Sequence, residues 1–98
     1  MEEKDYRQSR LCRLMGNPMA FAVVNALSQN EELSPSEIAH AVGRSVSRVS
    51  HVLATLRLAE VVRYETDGTA RYRLKHSRET RDLLKALAIF IDSPSAFQ

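Results

Sequence analysis

Residues 33–74 read LSPSEIAHAVGRSVSRVSHVLATLRLAEVVRYETDGTARYRL, and this stretch decides the fold. Ser34 supplies a hydroxyl cap, Pro35 a preset first helical residue, and Glu37 a carboxylate three positions after the cap, which together start a helix. Ile38, Ala39 and Val42 make its apolar stripe, and Gly43 ends it by taking a left-handed conformation. After a three-residue turn Ser45 caps a second helix, in which Val49, Val52, Leu53 and Leu56 recur at the spacing of one buried face. Two short helices so joined are a helix-turn-helix. Two β-rich runs follow, Val61 to Thr66 and Thr69 to Leu74, around Asp67-Gly68, a pair suited to a two-residue hairpin turn. That hairpin would be a wing.

Outward from this stretch the chain is helical. Tyr6 to Met15 reads as a first helix, with Leu11, Leu14 and Met15 apolar and Arg7, Arg10 and Arg13 facing elsewhere. Asn17 and Pro18 open a second, Pro18 to Ser28, which is apolar almost all round; a helix apolar on every side is buried on every side. In so small a domain this predicts that something besides the chain's own core covers part of it. Gln29 to Leu33 reads as a short acidic loop. His76 or Ser77 caps a last helix to about Ile91, whose Leu83, Leu84, Leu87, Ala88, Phe90 and Ile91 form more than a narrow stripe. The tail from Asp92 to Gln98, with Pro94, reads as frayed. The expected architecture is mainly α with a two-stranded β-hairpin wing, in the order ααααββα, a winged helix-turn-helix. Residues 1–98 make a single domain, since 98 residues suffice for one core.

Composition narrows the function. No apolar run approaches the ~20 residues that span a bilayer, and the first ten residues, MEEKDYRQSR, have no apolar signal core. A cytoplasmic protein without membrane attachment is expected, and a single cysteine fits a reducing compartment. Residues 38–78 hold eight Lys/Arg against three Asp/Glu, net +5, whereas residues 1–37 carry net −2 and residues 79–98 net −1. A basic block over the helix-turn-helix and hairpin is the footprint of a phosphate-binding face. An enzyme is not expected, because there is no Gly-rich phosphate loop, no metal-ligand cluster, and no nucleophile with a base and an orienting group.

If Val49, Val52, Leu53 and Leu56 face the core, then Ser47, Arg48, Ser50, His51, Ala54 and Thr55 point outward. Ser47, Arg48, Ser50 and His51 lie in the opening turns that reach base edges in a major groove, and Arg48 can pair with guanine through two parallel bonds. Arg44, Ser45 and Thr55, together with the helix start, are candidates for phosphate contact. On the hairpin, alternation sets Val62, Tyr64, Tyr72 and Leu74 on one face and Arg63, Arg71 and Arg73 on the other, the latter for the minor groove or flanking phosphates. His40 follows Glu37 at a spacing that could begin a metal site, but no third ligand is evident, and neither metal nor cofactor is expected. Cys12, between Leu11 and Leu14, reads as a small hydrophobe. It is also a candidate redox residue should first helices pair across a dimer axis.

With these residues in view, the chain resembles the ArsR/SmtB family of winged-helix repressors. The resemblance runs from Leu14-Met15-Gly16-Asn17-Pro18 to the last helix and is carried most by LSPSEIAHAVGRSVSRVSHVLATLRLAEVV and the Tyr72-Arg73-Leu74 end of the hairpin. It implies a homodimer packed through its first and last helices that binds a palindromic operator on double-stranded DNA and releases it on a signal whose identity the sequence does not give. The sequence departs from the family's sensors. SRVSHV at Ser47 to Val52 lacks their paired cysteines. Arg78 to Ile91 lacks their histidines, leaving only Glu79 and Asp82, and Cys12 has no second cysteine. Glu60 stands where the family usually has Gly, so the turn before Val61 is expected to be built differently. A second class of function, a winged helix that docks proteins through its apolar second helix, remains open.

Overall fold

Ser34 and Glu37 close the cap that their spacing dictates. The Ser34 hydroxyl accepts the Glu37 backbone N–H at 3.2 Å, and Glu37 Oε1 accepts the Ser34 backbone N–H at 2.8 Å. In this computed structural model, which describes residues 2–93, the element order is α1 (Glu3–Met15), α2 (Pro18–Ser28), α3 (Pro35–Val42), α4 (Val46–Leu58), β1 (Val62–Thr66), β2 (Ala70–Leu74) and α5 (Ser77–Asp92). This is the winged helix-turn-helix order expected. Gly43 ends α3 at φ 68°, and the Ser45 hydroxyl caps α4 by accepting the Arg48 N–H at 3.2 Å. The Asn17 side chain caps α2 through the Met19 and Ala20 N–H groups, both at 3.0 Å.

The core is one cluster, drawn from α2 (Ala20, Val23, Val24, Leu27), α3 (Ile38, Ala39), α4 (Val49, Leu53, Leu56) and the hairpin (Val62, Leu74), with Met15 and Val61 at its margins. Here α2 meets α1, α3, α4, β2 and α5, which bury its Ala20, Val23, Val24 and Leu27. Met19, Phe21, Ala22 and Ala26 stay only half-buried, so part of the apolar circumference of α2 is left for a partner to cover. The exposed large apolar side chains lie elsewhere. Leu83, Leu87, Ile89, Phe90 and Ile91 of α5 are exposed, no α5 residue is buried, and Tyr6 and Leu11 of α1 are exposed as well.

Several boundaries differ from the sequence reading. α1 starts at Glu3 rather than Tyr6, with Glu3 and Asp5 in its first turn, where acidic groups favour the positive end of the helix dipole. Thr66 pairs with Ala70, so the wing tip is a three-residue loop, Asp67 to Thr69, rather than a two-residue turn; Gly68 supplies the positive φ of 89°. Leu33, read as loop, forms an antiparallel bridge to Tyr72 through bonds of 3.0 and 2.8 Å, adding a short third edge to the hairpin. Neither His76 nor Ser77 caps α5 through its side chain, although the helix does begin at Ser77. Glu60 adopts a left-handed φ of 62°, the conformation that favours Gly, so the turn is not rebuilt. The Lys75 ammonium, 2.6 Å from Glu60 Oε1, anchors the residue there. Of the tail, Asp92 closes α5 and residues 94–98 lie outside the described residues. No described helix is long and apolar enough to cross a membrane.

Candidate nucleic-acid interface

α4 presents two faces because its apolar residues recur every three or four positions. Val49, Leu53 and Leu56 are fully buried and Val52 is half-buried, which turns Ser47, Arg48, Ser50, His51, Ala54 and Thr55 to solvent. Arg44 and Ser45, in the turn before it, are exposed too. The Ser45 hydroxyl is engaged as the cap, Thr55 donates from Oγ1 to the His51 carbonyl at 3.4 Å, and Arg44 donates from Nη1 to the Gly43 carbonyl at 3.1 Å. Among the described residues the Arg48 guanidinium has no protein partner, and the same holds for Arg63.

The wing meets α4 through a cation–π contact. Arg57 lies over the Tyr64 ring, 4.8 Å from its centre, and Tyr64 meets Tyr72 edge-on at 5.2 Å. The hairpin register, Val62 to Leu74 and Tyr64 to Tyr72, sets these on the inner face as the alternation predicts, and the same register groups Arg63, Glu65, Arg71 and Arg73 on the outer face.

That outer face is where the structure differs most from a simple basic patch. Arg71 Nη1 lies 3.1 Å from Glu37 Oε1, and Arg71 Nε lies 3.8 Å from Glu32. Arg73 reaches Glu32 through Nη2 at 3.5 Å, and its Nε stands 3.5 Å from Glu65 Oε1 in a geometry that makes no hydrogen bond. Sequence reasoning missed these three carboxylates. Glu65 was legible from the hairpin register, which sets it opposite Arg71. Glu32 was not, because its position depends on the unforeseen bridge at Leu33. The Ser34 backbone N–H and hydroxyl hold the Glu37 carboxyl below its ordinary pKa, with a smaller push from Arg71. The Lys75 ammonium likewise lowers that of Glu60.

Cys12 is exposed on α1 rather than packed as a small hydrophobe, because the apolar contacts of that helix run through Leu14 and Met15. His40 is exposed on α3, and among the described residues no three His, Cys, Asp or Glu side chains gather to hold a metal ion.

The profile of the HVO_A0114 family matches residues 17–80, a span running from the Asn17 cap through α2, the helix-turn-helix and the wing into α5. No curated protein sequence gives a match. Among solved structures, HlyU from Vibrio cholerae is similar at 27% identity and TM-score 0.77, over 91% of this chain and 99% of that one. BigR, a transcriptional repressor from Xylella fastidiosa, is similar at 22% identity and TM-score 0.74, over 91% of each chain. The homodimeric winged helix-turn-helix DNA-binding domain of Mb0332 from Mycobacterium bovis, a possible ArsR-family regulator, matches at 21% identity and TM-score 0.74, over 91% of this chain and 88% of that one. The chain belongs to the HVO_A0114 family and has the winged helix-turn-helix architecture of the ArsR/SmtB-type regulators.

Proposed function

We propose that this protein is a cytoplasmic, sequence-specific DNA-binding transcriptional regulator: a homodimer, paired through α1 and α5, that represses by binding a palindromic operator. The observation that carries the reading is the outward row Ser47, Arg48, Ser50 and His51 on the opening turns of α4, exposed on a helix whose opposite face is locked into the core. In a helix-turn-helix those turns enter the major groove. Arg48 would read guanine, while Ser47, Ser50 and His51 read base edges less selectively. Arg44, Thr55 and the start of α4 around Ser45 would position the helix on phosphates, with Arg63 reaching from the wing.

The apolar stripe left exposed on α5 supports pairing of two copies, since an uncovered patch of that kind marks an association surface. BigR acts as a repressor and the Mb0332 domain is a DNA-binding homodimer, and both share this fold. The test is selection of bound duplexes from a random-sequence pool, followed by band-shift under salt titration. An inverted repeat with half-sites about one helical turn apart is the expected product. A folded protein that retains no duplex even at low salt would remove the reading.

A further inference from the structure

The outer face of the wing is built from opposed charges. Arg63 and Arg73 stand directly across from each other in the register, an arrangement that repels unless something offsets it. Glu32 and Glu65 each lie 3.5 Å from the Arg73 guanidinium, and Glu37 with Glu32 holds Arg71. The pleat explains the convergence. Leu33 bridges Tyr72, so the residue before Leu33 emerges on the opposite face of the small sheet, the face that Arg71 and Arg73 share.

Resting on the DNA-binding reading, we propose that Glu32 and Glu65 are specificity-determining residues that hold Arg73 in place of phosphate, leaving Arg63 as the outer-face arginine free to meet a phosphodiester backbone. Carboxylate and phosphate compete for the same guanidinium charge, so an arginine that two carboxylates already balance must give them up to serve DNA. The ion pairs are more than one-third exposed, which makes each one weak and the competition with phosphate real. The carboxylates also bring negative charge to a face that would otherwise attract the duplex. Both effects lower phosphate binding, which carries no sequence information, and leave base reading by α4 untouched. The net result is a wider gap between operator and random DNA, the quantity that matters against a genome of competing sites.

The experiment compares the wild type, Glu32→Gln/Glu65→Gln, Arg73→Ala and the triple variant on a random-sequence duplex, reading fluorescence anisotropy across a salt series. Glu37 is left intact because it also closes the cap of α3. The double variant is expected to bind more tightly at low salt and to steepen the log–log salt slope by about 0.9 for each additional phosphate engaged. Arg73→Ala alone is expected to leave the wild-type slope unchanged, and in the triple variant to cancel the gain. Thermal melts of each variant establish that it folds. Wild-type binding with no change in the double variant overturns this inference alone, as does a loss of slope in Arg73→Ala, which would mean that Arg73 already grips phosphate. Wild type and double variant both folded and both without affinity for any duplex would remove the DNA-binding reading and this inference together.

Discussion

Arg71 donates from Nη1 to Oε1 of Glu37 at 3.1 Å, across 34 residues of chain. That same oxygen accepts the Ser34 backbone N–H at 2.8 Å. One carboxylate thus closes the cap of α3 and ties β2 to it, so the start of the helix-turn-helix and the wing share an anchor. The Glu37 carboxyl is held below its ordinary pKa of 4.5, first by the Ser34 backbone N–H, next by its hydroxyl, and less by Arg71. A group whose folded pKa is depressed stabilises the fold fully above its unfolded pKa, and that contribution is lost as pH falls through the folded value. Wild-type protein should therefore lose melting temperature as pH drops below 4.5. Glu37→Gln keeps a capping acceptor but has no charge to titrate, so it should start lower at neutral pH and lose less over the same window. Parallel pH–melting curves for the two proteins would contradict the assignment.

The core makes a quantitative claim about two leucines of α4. Leu53 is fully buried and Leu58 is 87% exposed, five residues further along the same helix. Truncating a buried leucine removes its transfer free energy and leaves a cavity, so Leu53→Ala should cost about 2–5 kcal/mol in denaturant unfolding. Leu58→Ala lies outside any packed region and should fall within roughly 0.5 kcal/mol of wild type. Comparable losses at the two positions would mean that α4 is rotated from the face its periodicity defines.

The order of the central elements was legible because the starts of α2, α3 and α4 and the end of α3 each rest on a local device: Asn17 and Pro18, Ser34 with Glu37, Ser45, Gly43. Local chemistry of this kind is written in neighbouring residues. The face of α4 was equally readable, since Val49, Leu53 and Leu56 repeat at helical spacing. The charge balance of the wing was not. A net charge summed along residues 38–78 counts Arg71 and Arg73 as free, whereas Glu32 and Glu37, from the acidic segment before it, fold back onto them. That meeting depends on the Leu33 bridge, a contact between segments nearly 40 residues apart for which no sequence period exists. Glu60 shows the reverse error. Its type argued against a left-handed turn, and a distant lysine holds the turn anyway.

The terminal helices carry the next prediction. Leu83 and Leu87 lie one helical turn apart and are 40% and 39% exposed, on a helix with no buried residue, while Leu84 packs against the core. If two copies meet on this stripe, Leu83→Glu/Leu87→Glu would set unpaired carboxylates in an apolar interface, which association cannot tolerate. Sedimentation should then give a monomer where the wild type gives a dimer. Circular dichroism should still show wild-type helix content, because neither side chain contributes to the buried cluster. A variant that remains dimeric would relocate the interface.

On the proposed reading, Arg48 separates base reading from charge attraction. Its side chain is exposed on the first turn of α4, its backbone N–H is held by the Ser45 cap, and no carboxylate among the described residues competes for its guanidinium. Arg63 also has no partner among the described residues, and on the proposed reading it meets phosphate from the wing. Replacing Arg48 by Ala should cost about 1–3 kcal/mol of discrimination at one guanine of each half-site, with that base pair becoming interchangeable. Replacing Arg63 by Ala should weaken operator and random duplex alike and reduce the salt slope by about 0.9 per subunit. Binding isotherms on the operator, on single-base variants of it and on random duplex, each over a salt series, distinguish the two behaviours. Equal losses on all duplexes for Arg48→Ala would make it another phosphate contact and move base reading to Ser47, Ser50 and His51.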